Sequence, residues 1–263
     1  MTPEIRSEMA AEITCAAGRL ARAYFADLGN LCVSRKGHQD FVSAADHAVE
    51  LLMRERLRSE FPDDAVIGEE HDPIEGTSGF TWVIDPIDGT TNFVSGIPAW
   101  TVVLAGVQDG RTVCGVIYDP CHDELFVAME GKGAWMNREI LQIGRGTDLL
   151  SGSLGLGYSN RRDARGVVRL IELLLARGGV FVRNASGALS LAYVASGRFL
   201  GYIEEHMNAW DCLAGQLLIS EAGGRIEHQS TADILRDGGR IVVAAPGVFE
   251  EVQKLADSAF KDK

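Results

Sequence analysis

The sequence predicts a layered α/β or α+β protein in which helices pack against two sheets. Three observations carry this: a long helical period at the N-terminus, short apolar runs cut by glycine and proline between about residues 80 and 135, and alternating strand-like and helix-like segments after residue 150. Thr2-Pro3-Glu4 reads as a helix start, with an N-cap hydroxyl, proline at the first helical position and an acid in the first turn. Ile5, Met9, Ile13, Ala16, Leu20 and Tyr24 recur three or four apart, so they predict the apolar stripe of a helix ending near Gly29. A second helix carries Val49, Leu52, Met53 and Leu57 and stops before Pro62. Apolar runs at 82–84, 101–107, 113–118 and 124–129, punctuated by Gly110, Pro120 and Gly131-Lys132-Gly133, then predict an antiparallel sheet with turns.

The second half alternates. A strand at 154–157 precedes a helix with Val167, Val168, Leu170, Ile171 and Leu174, and a strand at 180–182 precedes a helix near 188–195. A strand at 199–203 precedes a helix near 210–222, and a strand at 241–245 precedes a last helix with Val248, Val252 and Leu255. No repeat, low-complexity segment or Pro/Ser-rich linker divides the chain. It reads as one domain, 1–263, with internal lobes expected at 1–146 and 147–263 on packing grounds alone.

Composition narrows the function classes. With 263 residues, 46% of them hydrophobic and 24% charged, the chain can bury a large core. Its 25 basic and 37 acidic residues give a formal net charge of -12, which disfavours nucleic acid and anionic membranes as partners. An anionic substrate would need a local cation. Five scattered cysteines (Cys15, Cys32, Cys114, Cys121, Cys212) without a Cys-x-x-Cys pair indicate neither a disulfide framework nor zinc. Glu4, Arg6 and Glu8 interrupt any signal-peptide core, and no apolar run approaches the roughly 18 residues of a membrane span, so a cytoplasmic protein is expected.

The chemistry concentrates where apolar elements stop. In "WVIDPIDGTTNF", residues 82–93, Asp85 and Asp88 flank Pro86, so the segment is not a helix interior. Val83-Ile84 leads in as a strand and Asp-Gly-Thr-Thr leads out as a turn able to open a helix. Two carboxylates crowded there repel unless a cation lies between them. Glu69 and Glu70 follow an apolar stretch, Asp46 opens the second helix and Asp211 opens another. Taken singly, the glutamates read as a solvated turn and the aspartates as acids complementing helix dipoles. Taken together, hard oxygen ligands without a Cys/His cluster point to Mg²⁺ or Mn²⁺ rather than zinc. Two such ions about 4 Å apart could activate a water and neutralise the leaving oxygen of a phosphate ester. Amides at Gly89-Thr90-Thr91 would then hold the phosphate, or the segment is simply a capped turn.

"GEE" at 68–70, "WVIDPIDGTTNF" at 82–93 and "AWDCLAGQLLISEAGG" at 209–224 together resemble the inositol monophosphatase family of Mg²⁺-dependent, Li⁺-sensitive sugar-phosphate phosphatases. "DFVSAAD" at 40–46, "GKGAW" at 131–135 and "SGALSLAYVASGR" at 186–198 extend the resemblance over nearly the whole chain. The resemblance implies a layered sandwich, a homodimer and a reaction by water activated with two or three metal ions. Glu69, Asp85 and the main-chain oxygen of Ile87 would bind the first metal, and Asp85, Asp88 and Asp211 the second. A third ion would lie near Glu69. Thr90, backed by Glu69 or Asp46, would orient the water, and the amides of Gly89 and Thr90 would take the phosphate. Glu204 falls where the family bonds sugar hydroxyls, although it also reads as a solvated acid beside Glu205.

The chain departs from the family at Ala185-Ser186-Gly187, where relatives have glycine, a small polar residue and alanine, and it is one residue shorter after Arg183. Ser186 is the expected matching hydroxyl. Of the remaining candidates, His71 reads as a loop residue and Cys212 as a packed hydrophobe, while Lys36 falls where the family has a basic loop near the third metal. The expected activity is phosphomonoester hydrolysis, inositol monophosphate first. Fructose-1,6-bisphosphate, histidinol phosphate and 3′-phosphonucleotides are rival substrates, and a non-catalytic regulatory protein retaining the fold is the rival class.

Overall fold

Helix α1 (Pro3–Phe25) opens a computed structural model that describes residues 3–37, 40–144 and 146–260. A 3-10 turn at Leu28–Asn30 follows, then β1 (Val33–Gly37), β2 (Asp40–Ser43), α2 (Ala44–Glu60), β3 (Ala65–Gly68), β4 (Phe80–Asp88) and α3 (Thr90–Val94). Strands β5 (Thr101–Gln108), β6 (Arg111–Asp119), β7 (Glu124–Met129), β8 (Gly133–Met136) and β9 (Glu139–Ile140) complete the first half. The second half runs β10 (Ser153–Leu156), α4 (Ala164–Leu175), β11 (Val180–Val182), α5 (Gly187–Ala195), β12 (Gly201–Met207) and α6 (Ala209–Glu221). It closes with β13 (Arg225–Ile226), α7 (Thr231–Asp237), β14 (Gly239–Ala244) and α8 (Phe249–Ala259).

Strands β3 to β9 form one sheet in sequence order, antiparallel except for the parallel β3–β4 pair. The second sheet has order β11-β10-β12-β14-β13, parallel in its first three strands and antiparallel in the rest. Three cores separate five layers. Helices α1 and α2 cover one face of the larger sheet through Ile13, Val49, Met53, Trp82 and Val116. Helices α5 and α6 lie between the sheets, with Leu191, Leu213 and Leu218 packed among Val83, Val103, Ile117, Tyr202 and Val243. Helices α4 and α8 cover the outer face of the second sheet through Leu170, Val252, Leu255, Ile203 and Val242. Both faces of the larger sheet are therefore dry, which is why β4, β5 and β6 read as continuous apolar runs rather than alternating ones.

The α1 stripe is rotated from the one the period predicts. Its buried residues are Ser7, Ala10, Ile13, Thr14, Ala17, Gly18 and Ala21, while Ile5 is exposed. The helix lies so close to β6 that a Cβ at Gly18 would collide with the Tyr118 ring, so small residues face the sheet and larger ones flank it. The strand β3, the pair β1–β2, β8, β9, β13 and α7 were not expected from the pattern; most are too short to show a period. The strand expected at 199–203 instead starts at Gly201 and runs on to Met207, which carries Glu204 inside it. Thr2, His38 and the Lys36 side chain lie outside what is described.

Candidate active site

In a regular strand Asp85 and Asp88, three residues apart, would point to opposite faces. They do not, because β4 is bulged between them: Asp85 pairs with Val103 and Asp88 with Thr101, three residues against two. The bulge absorbs Pro86, which has no N–H for the ladder, and re-aims the second carboxylate. Parallel pairing of β3 with β4 sets Gly68 opposite Ile84, which delivers Glu69 to the level of Asp85. Asp211 comes from the other side as the third residue of α6, in a reciprocal cap with Asn208: the Asn208 amide donates to Asp211 Oδ2 at 3.0 Å. Oxygen atoms of Asp85, Asp88 and Asp211 all lie within 4.8 Å of one another.

Each carboxylate is held differently. Asp88 caps α5, accepting hydrogen bonds from the Ser186 hydroxyl, the Gly187 amide at 3.1 Å and the Ala188 amide at 2.9 Å. Burial raises its pKa and these donors oppose the rise. Asp85 has much less support: the Ile87 amide donates to Oδ1 at 3.0 Å, while Oδ2 is buried without a hydrogen-bond partner. Burial, then the charges of Glu69, Asp211 and Asp88, push its carboxyl well above the usual range. Asp211 is pushed up to about 6, by burial and by Asp88. A buried oxygen without a donor beside it, among crowded carboxylates, fits a hard cation.

Beside this cluster the Thr90 hydroxyl lies 3.2 Å from Asp46 Oδ1 and 3.0 Å from the Ile87 carbonyl oxygen, both acceptors. Asp46 is buried and tied into the cap of α2, where the Ser43 amide and hydroxyl donate to its Oδ2 at 2.8 and 2.6 Å. Gly89 begins α3 at φ +95°, a left-handed conformation, and a side chain there would press on the Ala99 carbonyl and on Ser186. The adjacent first-turn amides are of the kind left without intrahelical partners.

A cavity of about 160 Å³ adjoins the cluster, lined by Asp88, Ala185, Ser186, Gly187, Glu204 and Asp211 among others. Glu204 is thus not the solvated acid that its neighbour Glu205 suggested; it is 8% exposed. Burial pushes its pKa up to about 8, opposed by the hydroxyl of Tyr202, which donates to it. Tyr202 is a site residue that the sequence reading passed over. It stands two residues before Glu204 on the same face of β12, so strand alternation was the available signal. Ser186, expected as a free substrate hydroxyl, spends its proton on Asp88 and also receives the Leu189 amide at 3.4 Å. Ala185 adopts φ +60°, so the backbone keeps a glycine-like conformation although the residue is alanine. Asn92 was also missed: its side-chain amide donates to the carbonyls of Ala99 and Asn184 at 2.7 and 2.6 Å, tying α3 to the cavity wall. Cys212 is fully buried and its thiol pKa is raised by burial, as a packed hydrophobe's would be.

A sequence model of the inositol monophosphatase family matches residues 4–259. An inositol-1-monophosphatase of Rhizobium meliloti is 41% identical over 211 residues, 79% of either chain. The Nus factor SuhB of Pasteurella multocida is 36% identical over 237 residues, 89% of either chain. Among solved structures, the extragenic suppressor protein suhB of Bartonella henselae superposes with a TM-score of 0.90 at 31% identity, covering 96% of this chain and 98% of that one.

Proposed function

The chain belongs to the inositol monophosphatase family, and on that premise we propose that it is a divalent-cation-dependent phosphomonoesterase acting on inositol monophosphate or a related sugar phosphate. The observation that carries the reading is Asp85 Oδ2, buried without a hydrogen-bond partner in a residue that clusters with Asp88 and Asp211. Glu69, Asp85, Asp88, Asp211 and the Ile87 carbonyl are the groups that would hold Mg²⁺, or Mn²⁺ in its place. Bound there, the cations would supply the positive charge that a phosphate ester and its attacking water both require.

The chain's own groups do the rest. The Thr90 hydroxyl donates toward Asp46 and so turns a lone pair outward, where it can accept a proton from a water and relay its own to Asp46. Burial raises the Asp46 pKa, which makes that carboxylate the better acceptor. The Gly89 and Thr90 amides, at the start of α3, would take phosphate oxygens, and Glu204 lines the cavity where the alcohol would sit. Asn92 and Ser186 keep the two walls in register.

The relatives carry two kinds of name, inositol-1-monophosphatase and Nus factor SuhB, so a binding role without turnover is the second reading. The full set of carboxylates favours the enzyme. No helix among the described residues is long and apolar enough to cross a membrane. The free state of all five cysteines suits a reducing cytoplasm. For a homodimer, the supporting feature is the edge strand β11, whose Val180, Phe181 and Val182 are all exposed. Phosphate release from inositol monophosphate with and without Mg²⁺ tests the reading. Asp85→Asn should abolish the Mg²⁺-dependent rate while the folded state survives, and full turnover in that variant would falsify the mechanism.

A further inference from the structure

Glu69 stands on a turn, not on a strand or helix, so something must hold that turn in place. The candidate is a buried ion pair on α2. Glu50 is fully buried and Arg54, one turn later, is 6% exposed; the Arg54 Nε donates to Glu50 Oε1 at 2.6 Å. Neither group spends its remaining capacity on side chains of the core. The Glu70 amide donates to Glu50 Oε2 at 2.8 Å, and the two terminal nitrogens of Arg54 donate to the carbonyls of His71 at 2.9 Å and Asp72 at 3.0 Å. Three consecutive residues after Glu69 are therefore fastened by their main chain to one side of α2. The same helix carries Asp46 four residues before Glu50, so one rigid element bears both the Thr90 partner and the clamp on the Glu69 turn.

Gly68 supports the same conclusion independently. Its φ is not of the left-handed kind that calls for glycine, yet a Cβ there would collide with the Glu50 carboxylate and lie 2.9 Å from an Arg54 nitrogen. The glycine before the two glutamates leaves room for the clamp. His71 Nδ1 also faces Glu50 Oε1, at 3.3 Å.

Resting on the phosphatase reading above, we infer that the buried Glu50–Arg54 pair is a positioning pair that fixes Glu69 for cation binding by holding the backbone that follows it. An ion pair that far from water is weak evidence of stabilisation in its own right, because desolvation offsets the attraction. Its geometric effect on the turn is what an apolar pair would not reproduce.

The experiment is a thermal-shift titration of the full chain with MgCl₂, on wild type, Arg54→Lys and Glu50→Gln. Arg240→Lys serves as control, since it disturbs the Arg240–Glu227 pair of the second sheet. Lysine keeps the charge but lacks the planar fork that bonds Glu50 through Nε and the two carbonyls through the terminal nitrogens. Both clamp variants should raise the Mg²⁺ midpoint by about tenfold or more, the range found when outer partners of metal ligands are removed. The control should lower the melting temperature and leave the midpoint where it was. In metal-free protein, hydrogen exchange at the Glu70 amide should accelerate in Glu50→Gln. A midpoint unchanged in whichever clamp variant folds, or an equal rise in the control, overturns the clamp and leaves the phosphatase reading standing. A wild type that Mg²⁺ does not stabilise at any concentration overturns both.

Discussion

Thr90 is the residue at which chemistry and packing can be told apart. Its hydroxyl touches Asp46 and the Ile87 carbonyl, so in the relay proposed above the oxygen rather than the methyl would act. Thr90→Ala should lower kcat on the order of a hundredfold with little change in the Mg²⁺ midpoint, and Thr90→Ser should recover most of the rate. Equal losses in the two variants would place the effect in packing. Glu204 separates substrate recognition from phosphate chemistry. Held by Tyr202 at the cavity wall, it can bond adjacent hydroxyls of a sugar but nothing on a simple aryl phosphate. Burial leaves Glu204 largely protonated at neutral pH, with a pKa of about 8, so Glu204→Ala should cut kcat/KM for inositol monophosphate by about threefold to tenfold, the range for a lost neutral hydrogen bond, and leave p-nitrophenyl phosphate hydrolysis nearly unchanged. A uniform drop across both substrates would assign Glu204 to the fold instead. Thr90 was named in the sequence because it stands in a motif, and Glu204 because it falls seven residues before Asp211, where the family resemblance puts a carboxylate; Tyr202 was not, because a tyrosine in a strand looks like core until its hydroxyl partner is seen.

The cavity wall between β11 and α5 shows how an element tolerates a substitution at its end. Ala185 occupies a left-handed conformation in which an L side chain crowds the following carbonyl, at a cost of roughly 1 kcal/mol. Ala185→Gly should therefore stabilise the protein, by about 2 to 4 °C in melting temperature for a chain of this size. A melting temperature that falls would mean that the greater unfolded-state freedom of glycine outweighs the relieved strain. At the departure from the family motif, 185–187, Ser186 caps α5 and donates to Asp88. The bulge in β4 has a comparable logic. Pro86 announced an interruption, but that it would turn two opposed carboxylates to one side depends on the pairing with β5, two residues against three.

Across the whole molecule, the cost of gathering carboxylates is a pH-dependent stability. The folded pKa of Asp211 is about 6 and that of Asp85 is well raised, both above the unfolded aspartate value. Without metal the folded state holds protons that the unfolded chain releases, so this contribution is full below about pH 4 and declines as pH rises through about 6 and beyond. Cations in the proposed site would bind the deprotonated cluster and reverse the trend. The gain in melting temperature from Mg²⁺ over chelator should accordingly grow between about pH 5 and pH 7.5; a gain that is flat across that window would contradict the carboxylate cluster as its source. The two expected lobes meet in one core, where Val83 and Val103 pack with Leu191, Tyr202 and Val243, and we propose that they form one folding unit. Residue order was enough to establish the element types of the long helices and central strands, the layered class and the identity of the acids, because periodicity, turn residues and motif chemistry are local properties. Which face of α1 is buried, how β4 bends, what Glu204 touches and how α2 grips the turn after Glu69 were decided only in the folded chain. Each depends on how near two elements approach, a distance set by side chains far apart in sequence.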